Sequence, residues 1–169
     1  MKSNFWKEFI KALAISVVLA FGIRYFIVQP FKVQGASMEP NFTENDYLII
    51  DEFTPRLKTY QRGDIVVFKH ASSFYIKRII GLPNENIEIR DNKVYINSLV
   101  LNEDYLTEKT SGTIDITLKQ DEYFVLGDNR DSSSDSRSWG ILDKSLIIGR
   151  VWLRLLPLNK INKFNAPSY

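Results

Sequence analysis

The stretch DIVVFKHASSFYIKRII, residues 64–80, decides the fold. It contains two short runs, 64–68 and 74–80, that are rich in β-branched and aromatic residues and are separated by a polar turn. Runs of this composition between polar turns are typical of β-strands. The stretch therefore predicts two strands of a sheet, and it places a lysine, Lys77, inside the second strand.

The chain beyond residue 28 repeats this pattern. Similar runs occupy residues 48–50 and 123–126, and residues 87–96 alternate on both sides of Asp91-Asn92, a two-residue hairpin turn. Residues 147–158 are apolar again, but they include two arginines and Pro157, which favours a closing strand over a second membrane span. We therefore predict a mainly β domain over residues 29–169.

The amino-acid composition excludes several kinds of catalytic and metal site. The 169 residues allow one domain and a short appendage, and the net charge of +2 gives no reason to expect a nucleic-acid partner. There is no cysteine, which excludes thiol catalysis, disulfides and iron–sulfur clusters. The single histidine, His70, excludes a histidine-rich metal centre, so we expect no metal and no cofactor. A hydrolase with this composition would need an unusual base.

The most apolar segment is residues 5–28, with an uncharged core of twelve residues between Lys11 and Arg24. As a helix it would be about 36 Å long, which exceeds the roughly 30 Å of a bilayer core. We predict one membrane anchor over 5–28, although a cleaved secretory signal and a buried helix of a soluble domain remain alternatives. Lysines before the apolar run favour a short cytoplasmic N-terminus over 1–4 and a catalytic domain outside the cell membrane.

The stretch Gly35-Ala-Ser-Met-Glu-Pro40, which contains a serine, begins about seven residues beyond this segment. Gly35 and Ala36 would let a peptide approach the backbone closely, and Pro40 fixes the chain just after Ser37. These neighbours suit an exposed nucleophile close to the membrane surface. The alternative is that Ser37 is an ordinary turn residue.

Alternation along residues 75–80 puts Lys77 on a strand face with Tyr75 and Ile79. A lysine with an ordinary pKa near 10.4 is neutral in only about one molecule in 2,500 at pH 7. Burial without a carboxylate partner lowers a lysine pKa by several units, which would make Lys77 a general base for Ser37. The alternative is a surface or salt-bridged lysine on an edge strand.

Residues 127–140 are too polar for a core strand and too rich in opposed charges for a flexible linker. We expect an ordered loop in which Asp128, Asp131 and Asp135 pair with Arg130, Arg137 and Arg78. Serine hydroxyls of such a loop could orient the lysine amine. A calcium loop is the alternative, but arginines stand where such a loop needs glycine and a terminal glutamate.

Five motifs in this order resemble the bacterial type I signal peptidases, which are membrane-anchored Ser–Lys endopeptidases. They are the anchor, Ser37-Met-Glu-Pro40, Arg62-Gly-Asp-Ile-Val-Val-Phe68, residues 75–83, and Gly127-Asp-Asn-Arg130 with its continuation to Arg137. The resemblance implies a signal-peptidase-like β-sheet or β-barrel domain with one N-terminal transmembrane helix. It also implies that Ser37 is the nucleophile, that its backbone N–H stabilises the oxyanion, and that Lys77 is the general base. The Ser133 hydroxyl would orient the lysine amine.

The resemblance further implies how the site is supported and how it binds substrate. The polar network consists of Arg78, Asp128, Asp135 and Arg137, in a structural role. The substrate strand would pair beside two segments whose pockets select small residues, the Ala-x-Ala pattern; the substrate-binding residues are Phe31, Val33, Gly35, Tyr75 and Ile76. Many family members have a serine where this chain has Gly35, and a threonine commonly stands at the position of Asn41.

The implied activity is removal of N-terminal signal peptides from exported preproteins through an acyl-enzyme. The implied partners are these preproteins, the lipid bilayer and, by proximity, the export translocon. The implied location is the cytoplasmic membrane, with a single pass, the N-terminus inside and the catalytic domain outside. Two alternatives use the same residues: a self-cleaving Ser–Lys repressor, and a catalytically inactive membrane-anchored scaffold.

Overall fold

The computed structural model describes residues 2–26, 28–53, 59–106, 108–164 and 166, without the side chains of 2–4, 20, 21 and 23–29. An N-terminal helix, α1, covers Lys2–Phe26. Within the residues described here, no helix is both long and apolar enough to cross a membrane. Residue 27, which belongs to the predicted anchor, lies outside them.

The remainder of the described chain is mainly β, as predicted. The strands are β1 (Val28–Lys32), β2 (Tyr47–Asp51), β3 (Ile65–His70), β4 (Ser73–Gly81), β5 (Asn86–Arg90), β6 (Lys93–Ile96), β7 (Leu99–Val100), β8 (Ile114–Thr117), β9 (Glu122–Leu126), β10 (Leu142–Asp143), β11 (Ile147–Leu156) and β12 (Asn162–Lys163). A short helix, α2 (Ser136–Trp139), and 3-10 turns at Lys144–Leu146 and Leu158–Lys160 complete the elements.

Two antiparallel sheets organise these strands. The larger sheet has the order β1-β2-β11-β3-β4-β9-β10, with β12 added to β11. The smaller sheet has the order β7-β6-β5-β8. The predicted Asp91-Asn92 turn is confirmed, since it joins β5 to β6 with Arg90 paired to Lys93.

The opening stretch forms the centre of the larger sheet. β3 and β4 pair in register, and Val66 lies opposite Lys77. Alternate residues of β3 enter two different apolar clusters, because Ile65 and Val67 pack on one face while Val66 and Phe68 pack on the other. This sheet is therefore covered on both faces at β3, which explains the nearly continuous apolar run in the sequence.

A proline lies within β1, although proline removes a donor from a strand ladder. β1 is an edge strand that pairs only with β2, and Pro30 is paired opposite Ile49. An edge strand tolerates the missing N–H. The chain leaving β1 turns through residues 33–46 and returns as β2, and this turn contains Ser37.

Candidate active site

Buried apolar side chains fix the turn that carries Ser37. Val33, Met38 and Phe42 are at most 4% exposed and belong to the cluster shared with β2 and β3. The Phe42 amide donates to the Met38 carbonyl at 2.8 Å. Ser37 itself remains partly exposed, so the turn is anchored by its neighbours and presents the serine hydroxyl.

Lys77 of β4 reaches this hydroxyl. Its Nζ donates to Ser37 Oγ at 2.7 Å and to the Ile76 carbonyl at 2.9 Å. The lysine side chain is only 2% exposed, and it makes no ion pair with the described residues. A neutral amine at the same distance would accept the serine proton directly.

Burial lowers the pKa of Lys77 from 10.5 to about 8, and the negative charges of Asp135 and Asp128 oppose this only partly. About one molecule in ten then carries a neutral lysine at pH 7, compared with about one in 2,500 for an ordinary lysine. The environment of Lys77 thus raises the population of the basic form by a factor of roughly 200.

A cavity of about 650 Å³ opens in front of the Ser37–Lys77 pair. One wall is the segment from Phe31 to Ser37, and the other is β4 from Ser73 to Lys77. The cavity brings together all the residues predicted to bind substrate: Phe31, Val33, Gly35, Tyr75 and Ile76. Among the strands that the structure describes, both walls have an unpaired edge here, because β1 pairs with β2 alone and β4 pairs with β9 only beyond Lys77. An extended peptide between them would add backbone hydrogen bonds to either side.

The sequence reasoning placed Phe74 in the strand that flanks the substrate but gave it no pocket role. Phe74 lines the cavity, is 60% exposed, and meets Phe31 of the opposite wall edge to face with ring centroids 5.6 Å apart. The two walls therefore contact each other through these rings.

The polar loop after β9 rests on two ion pairs. Arg78 Nε and Nη2 donate to the two oxygens of Asp128 at 2.8 and 2.6 Å, and both side chains are buried. Arg137 makes a similar bidentate contact with Asp135 at 2.8 and 2.9 Å. Asp135 also accepts the amide of Gly127 at 3.1 Å. The Arg78–Asp128 pair holds the loop against β4, where Arg78 follows Lys77, and the Arg137–Asp135 pair fixes the loop internally.

Other members of this loop differ from expectation. Arg130 was predicted to pair with a loop aspartate, but its partner is Glu103, which lies outside the loop. Asp131 is exposed and forms no ion pair in the described structure. Residues 136–139 form α2, capped by Asp135, because this side chain accepts the Arg137 amide. No group of three or more metal-binding side chains occurs in the described part of the chain.

Ser133 lies near the Ser37–Lys77 pair without bonding to it. Its hydroxyl is buried and makes no hydrogen bond to Lys77 or Ser37; it lies beside the Asp135 carboxylate. A Cβ on Gly127 would clash with this hydroxyl and would lie 2.5 Å from the Ser37 carbonyl oxygen, so the three residues meet only because residue 127 is glycine. The role of Ser133 in orienting Lys77 stays a prediction.

The Ser37 backbone N–H has no acceptor among the described residues, which leaves it available for an oxyanion. Gly35, where many type I signal peptidases have a serine, has a φ of +80°. A side chain in this left-handed conformation would be strained. The local backbone therefore favours glycine over a second, serine-based oxyanion donor at this position.

Sequence reasoning missed two contacts of the polar network. Asn41, noted only as a departure from threonine, donates from Nδ2 to Asp128 Oδ2 at 2.8 Å. Tyr105 lies under the Arg78 guanidinium, whose central carbon is 4.4 Å from the ring centroid. No local sequence pattern indicated a role for Glu103, because its partner, Arg130, is far away in the sequence.

His70 lies at the end of β3 and is not part of the Ser37–Lys77 pair. Its ring stacks on Trp139 at 4.7 Å and meets Tyr75 edge to face at 5.8 Å. It does not line the cavity. The only imidazole of the chain is thus part of an aromatic cluster behind one cavity wall.

Known proteins are similar to this chain in sequence and fold. A family model described as signal peptidase, peptidase S26, matches residues 6–156. The chain is 36% identical over 167 residues to a probable signal peptidase I-2 of Synechocystis sp., covering 94% of this chain and 77% of that protein. It is 35% identical over 176 residues to signal peptidase I of Bacillus licheniformis, covering 96% and 95%. A crystal structure of a signal peptidase I from Enterococcus faecalis aligns with a TM-score of 0.51 and 35% identity, covering 55% of this chain and 97% of that one.

Proposed function

The chain belongs to the signal peptidase family, peptidase S26, and from that premise we propose that it is a serine endopeptidase that removes N-terminal signal peptides from exported preproteins. The observation that carries this proposal is the 2.7 Å contact between the buried Lys77 Nζ and Ser37 Oγ at the end of a peptide-sized cavity. An amine that is neutral in a useful fraction of molecules near pH 8 can activate a serine without a histidine.

In the acylation step, Ser37 Oγ attacks the scissile carbonyl carbon while its proton passes to the neutral Lys77 amine. The carbonyl oxygen becomes an oxyanion, which the Ser37 backbone N–H stabilises. When the intermediate collapses, the C–N bond breaks and the Lys77 ammonium returns its proton to the leaving amine of the mature protein. The signal peptide remains as an ester on Ser37.

In the deacylation step, a water molecule gives a proton to Lys77 and its oxygen attacks the ester carbonyl carbon. The ester C–O bond breaks, Ser37 regains a proton from Lys77, and the signal peptide leaves with a new carboxyl group. Ser133 acts as the hydroxyl that keeps the amine oriented between the two steps. Arg78, Asp128, Asp135 and Arg137 support this geometry and do not touch the substrate.

The cavity supports a preference for small residues before the cut. Val33 is buried and Ile76 is half-buried in the apolar cluster beneath the cavity, so side chains of a bound peptide would meet shallow apolar pockets. Such pockets accept alanine at the first and third positions before the scissile bond. Backbone pairing with the two strand edges would supply most of the remaining affinity.

We further propose that residues 5–28 anchor the enzyme in the cytoplasmic membrane, with the N-terminus inside and the domain over 29–169 outside. Support comes from apolar side chains on α1 that remain exposed in the described part of the chain; they are between 49% and 69% exposed and comprise Phe5, Phe9, Ile10, Leu13, Ile15, Val17, Val18 and Leu19. Tethering would hold the site close to preproteins leaving the export translocon and raise their effective concentration.

The function is tested by cleavage of a purified preprotein with the full chain in detergent or lipid. Ser37→Ala and Lys77→Ala should each abolish cleavage, and full activity in either variant would refute the mechanism. The location is tested separately by alkaline washing of membranes. Release of the protein into the wash would contradict the anchor while leaving the peptidase proposal intact.

A further inference from the structure

The segment that connects β7 and β8 of the smaller sheet contacts the loop after β9 through Glu103. The Glu103 carboxylate accepts two hydrogen bonds from Arg130, at 3.0 Å from Nη1 and 2.5 Å from Nη2, and a third from the Tyr105 hydroxyl at 2.7 Å. The Arg130 side chain is completely buried, and Nη1 also contacts Thr110 Oγ1. The charge of this guanidinium is thus neutralised by a residue outside the loop.

Arg130 in turn fixes Gly127. Its Nε donates to the Gly127 carbonyl at 3.0 Å, while its own carbonyl accepts Nη2 of Arg137 at 2.5 Å. Gly127 is the residue that packs against the Ser37 carbonyl and the Ser133 hydroxyl with no room for a side chain. Any displacement of the Gly127 peptide would therefore be transmitted to the nucleophile and to the hydroxyl beside it.

The same segment also contacts Arg78, the residue next to Lys77. The Tyr105 ring, whose hydroxyl is held by Glu103, lies under the Arg78 guanidinium. Arg78 follows Lys77 in β4 and holds Asp128 of the catalytic loop. The Glu103 carboxylate is therefore linked through Arg130 to the Gly127 backbone next to Ser37. It is also linked through Tyr105 to the strand that carries Lys77.

We infer that Glu103 is a positioning residue for the peptidase reaction: it holds Arg130 and Tyr105 so that Gly127 and the Lys77 strand keep the nucleophile and base aligned. The inference rests on the proposed function, since alignment matters only if Ser37 and Lys77 react. Glu103 does not line the cavity, so its loss should change the reaction rate and leave substrate binding almost unaltered.

The chain offers a matched control. Glu85 pairs with Arg62 through the same two distances, 3.0 Å to Nη1 and 2.5 Å to Nη2, and it accepts a third bond from the Leu82 amide at 2.7 Å. Both members of this pair are also mostly buried. Arg62 also contacts the Ile80 carbonyl of β4, but among the described residues neither Glu85 nor Arg62 bonds directly to residues 127–137. Glu85→Gln therefore reproduces the loss of a buried carboxylate without a direct contact to the catalytic loop.

The experiment compares the wild type, Ser37→Ala, Glu103→Gln and Glu85→Gln as full chains in a preprotein cleavage assay. Glutamine keeps the shape of the side chain and removes its charge, so folding is retained better than with alanine. We expect Glu103→Gln to lower kcat by about 10- to 100-fold, with KM within about twofold of the wild type. Glu85→Gln should retain the wild-type kcat. Rates are expressed per folded enzyme, measured from near-ultraviolet circular dichroism at the assay temperature.

Each possible outcome either supports or refutes the positioning role of Glu103. A wild-type kcat in Glu103→Gln, or an equal loss in both glutamine variants, would overturn the positioning role while the proposed function stands. An increase in KM alone would also overturn it, since that would make Glu103 a binding residue. A wild-type protein that cleaves no preprotein better than Ser37→Ala would overturn the proposed function, and the inference with it.

Discussion

Replacing Gly127 by alanine tests how closely the catalytic loop packs against the nucleophile. The new methyl carbon would lie 2.5 Å from the Ser37 carbonyl oxygen, whereas ordinary contacts of this kind begin at 3.4 Å. One side must therefore move by about 0.9 Å. The loop cannot move freely, because the Gly127 amide and carbonyl are both hydrogen-bonded and the Asn129 amide donates to the same Ser37 oxygen at 3.1 Å.

The methyl group of Gly127→Ala should therefore displace Ser37. A misplacement of about 1 Å in a reacting group costs on the order of 100-fold in rate, while overpacking costs about 1–3 kcal/mol of stability. We expect Gly127→Ala to lower kcat by about 100-fold while the protein remains folded. The measurement is kcat for preprotein cleavage, together with the midpoint of thermal unfolding.

Gly149→Ala is the matched control. Its methyl carbon would lie 2.6 Å from the Asp51 carbonyl oxygen, which is the same type of clash, but neither residue lines the cavity. This variant should lose comparable stability and keep its kcat. If Gly127→Ala cleaved at the wild-type rate, or if both variants lost activity in proportion to their stability, the reasoning about this contact would be refuted.

Four further predictions concern charge and the single imidazole. Because the base must be neutral and the pKa of Lys77 is lowered to about 8, kcat/KM should rise about tenfold per pH unit below pH 8 and level off above it; a profile that is flat from pH 6 to 9 would contradict this. The lowered pKa of Lys77 should also make the free energy of unfolding rise with pH between about 8 and 10.5, because in this range the lysine is protonated in the unfolded chain and neutral in the folded one. Chemical denaturation of the wild type and of Lys77→Met across this pH range measures the rise. Asp128→Asn removes the carboxylate that neutralises buried Arg78 and should lower the free energy of unfolding by about 3–5 kcal/mol, whereas a loss below about 1 kcal/mol in urea denaturation would argue against a structural role. His70→Ala should keep kcat within about twofold and lose only the stacking on Trp139, about 1 kcal/mol of stability; loss of cleavage would implicate the imidazole in catalysis.

Local sequence patterns predicted the strands and the environment of the base. The β-branched runs became β2, β3, β4 and β9, and the Asp91-Asn92 turn was found where the alternation reversed. The burial of Lys77 followed from its place within a run of large apolar residues on a central strand. These features depend on neighbours within a few positions, and such neighbours are visible in a single sequence.

The missed features depend on residues that are distant in the sequence. The partner of Arg130 could not be read from the loop, because three aspartates lay nearer in the sequence than Glu103. The short helix after Asp135 was hidden in a serine-rich run that has weak helical propensity, and it forms because Asp135 caps it and Ser136 bonds to Val125. The strand β1 was obscured by Pro30, which only an edge position permits.

The strand order also sets when this enzyme can become active during its synthesis. The hairpin that presents Ser37 is joined to the rest of the sheet through β2 and β11, yet β11 begins at Ile147, long after β2 ends at Asp51. At about 5–20 residues per second, roughly 5–20 s separate the translation of these two partners. During that interval the serine has been made but has no sheet to hold it against Lys77. Nascent chains that stop before β11 would therefore be inactive. The protein could act as a protease only after nearly the whole domain had been translated.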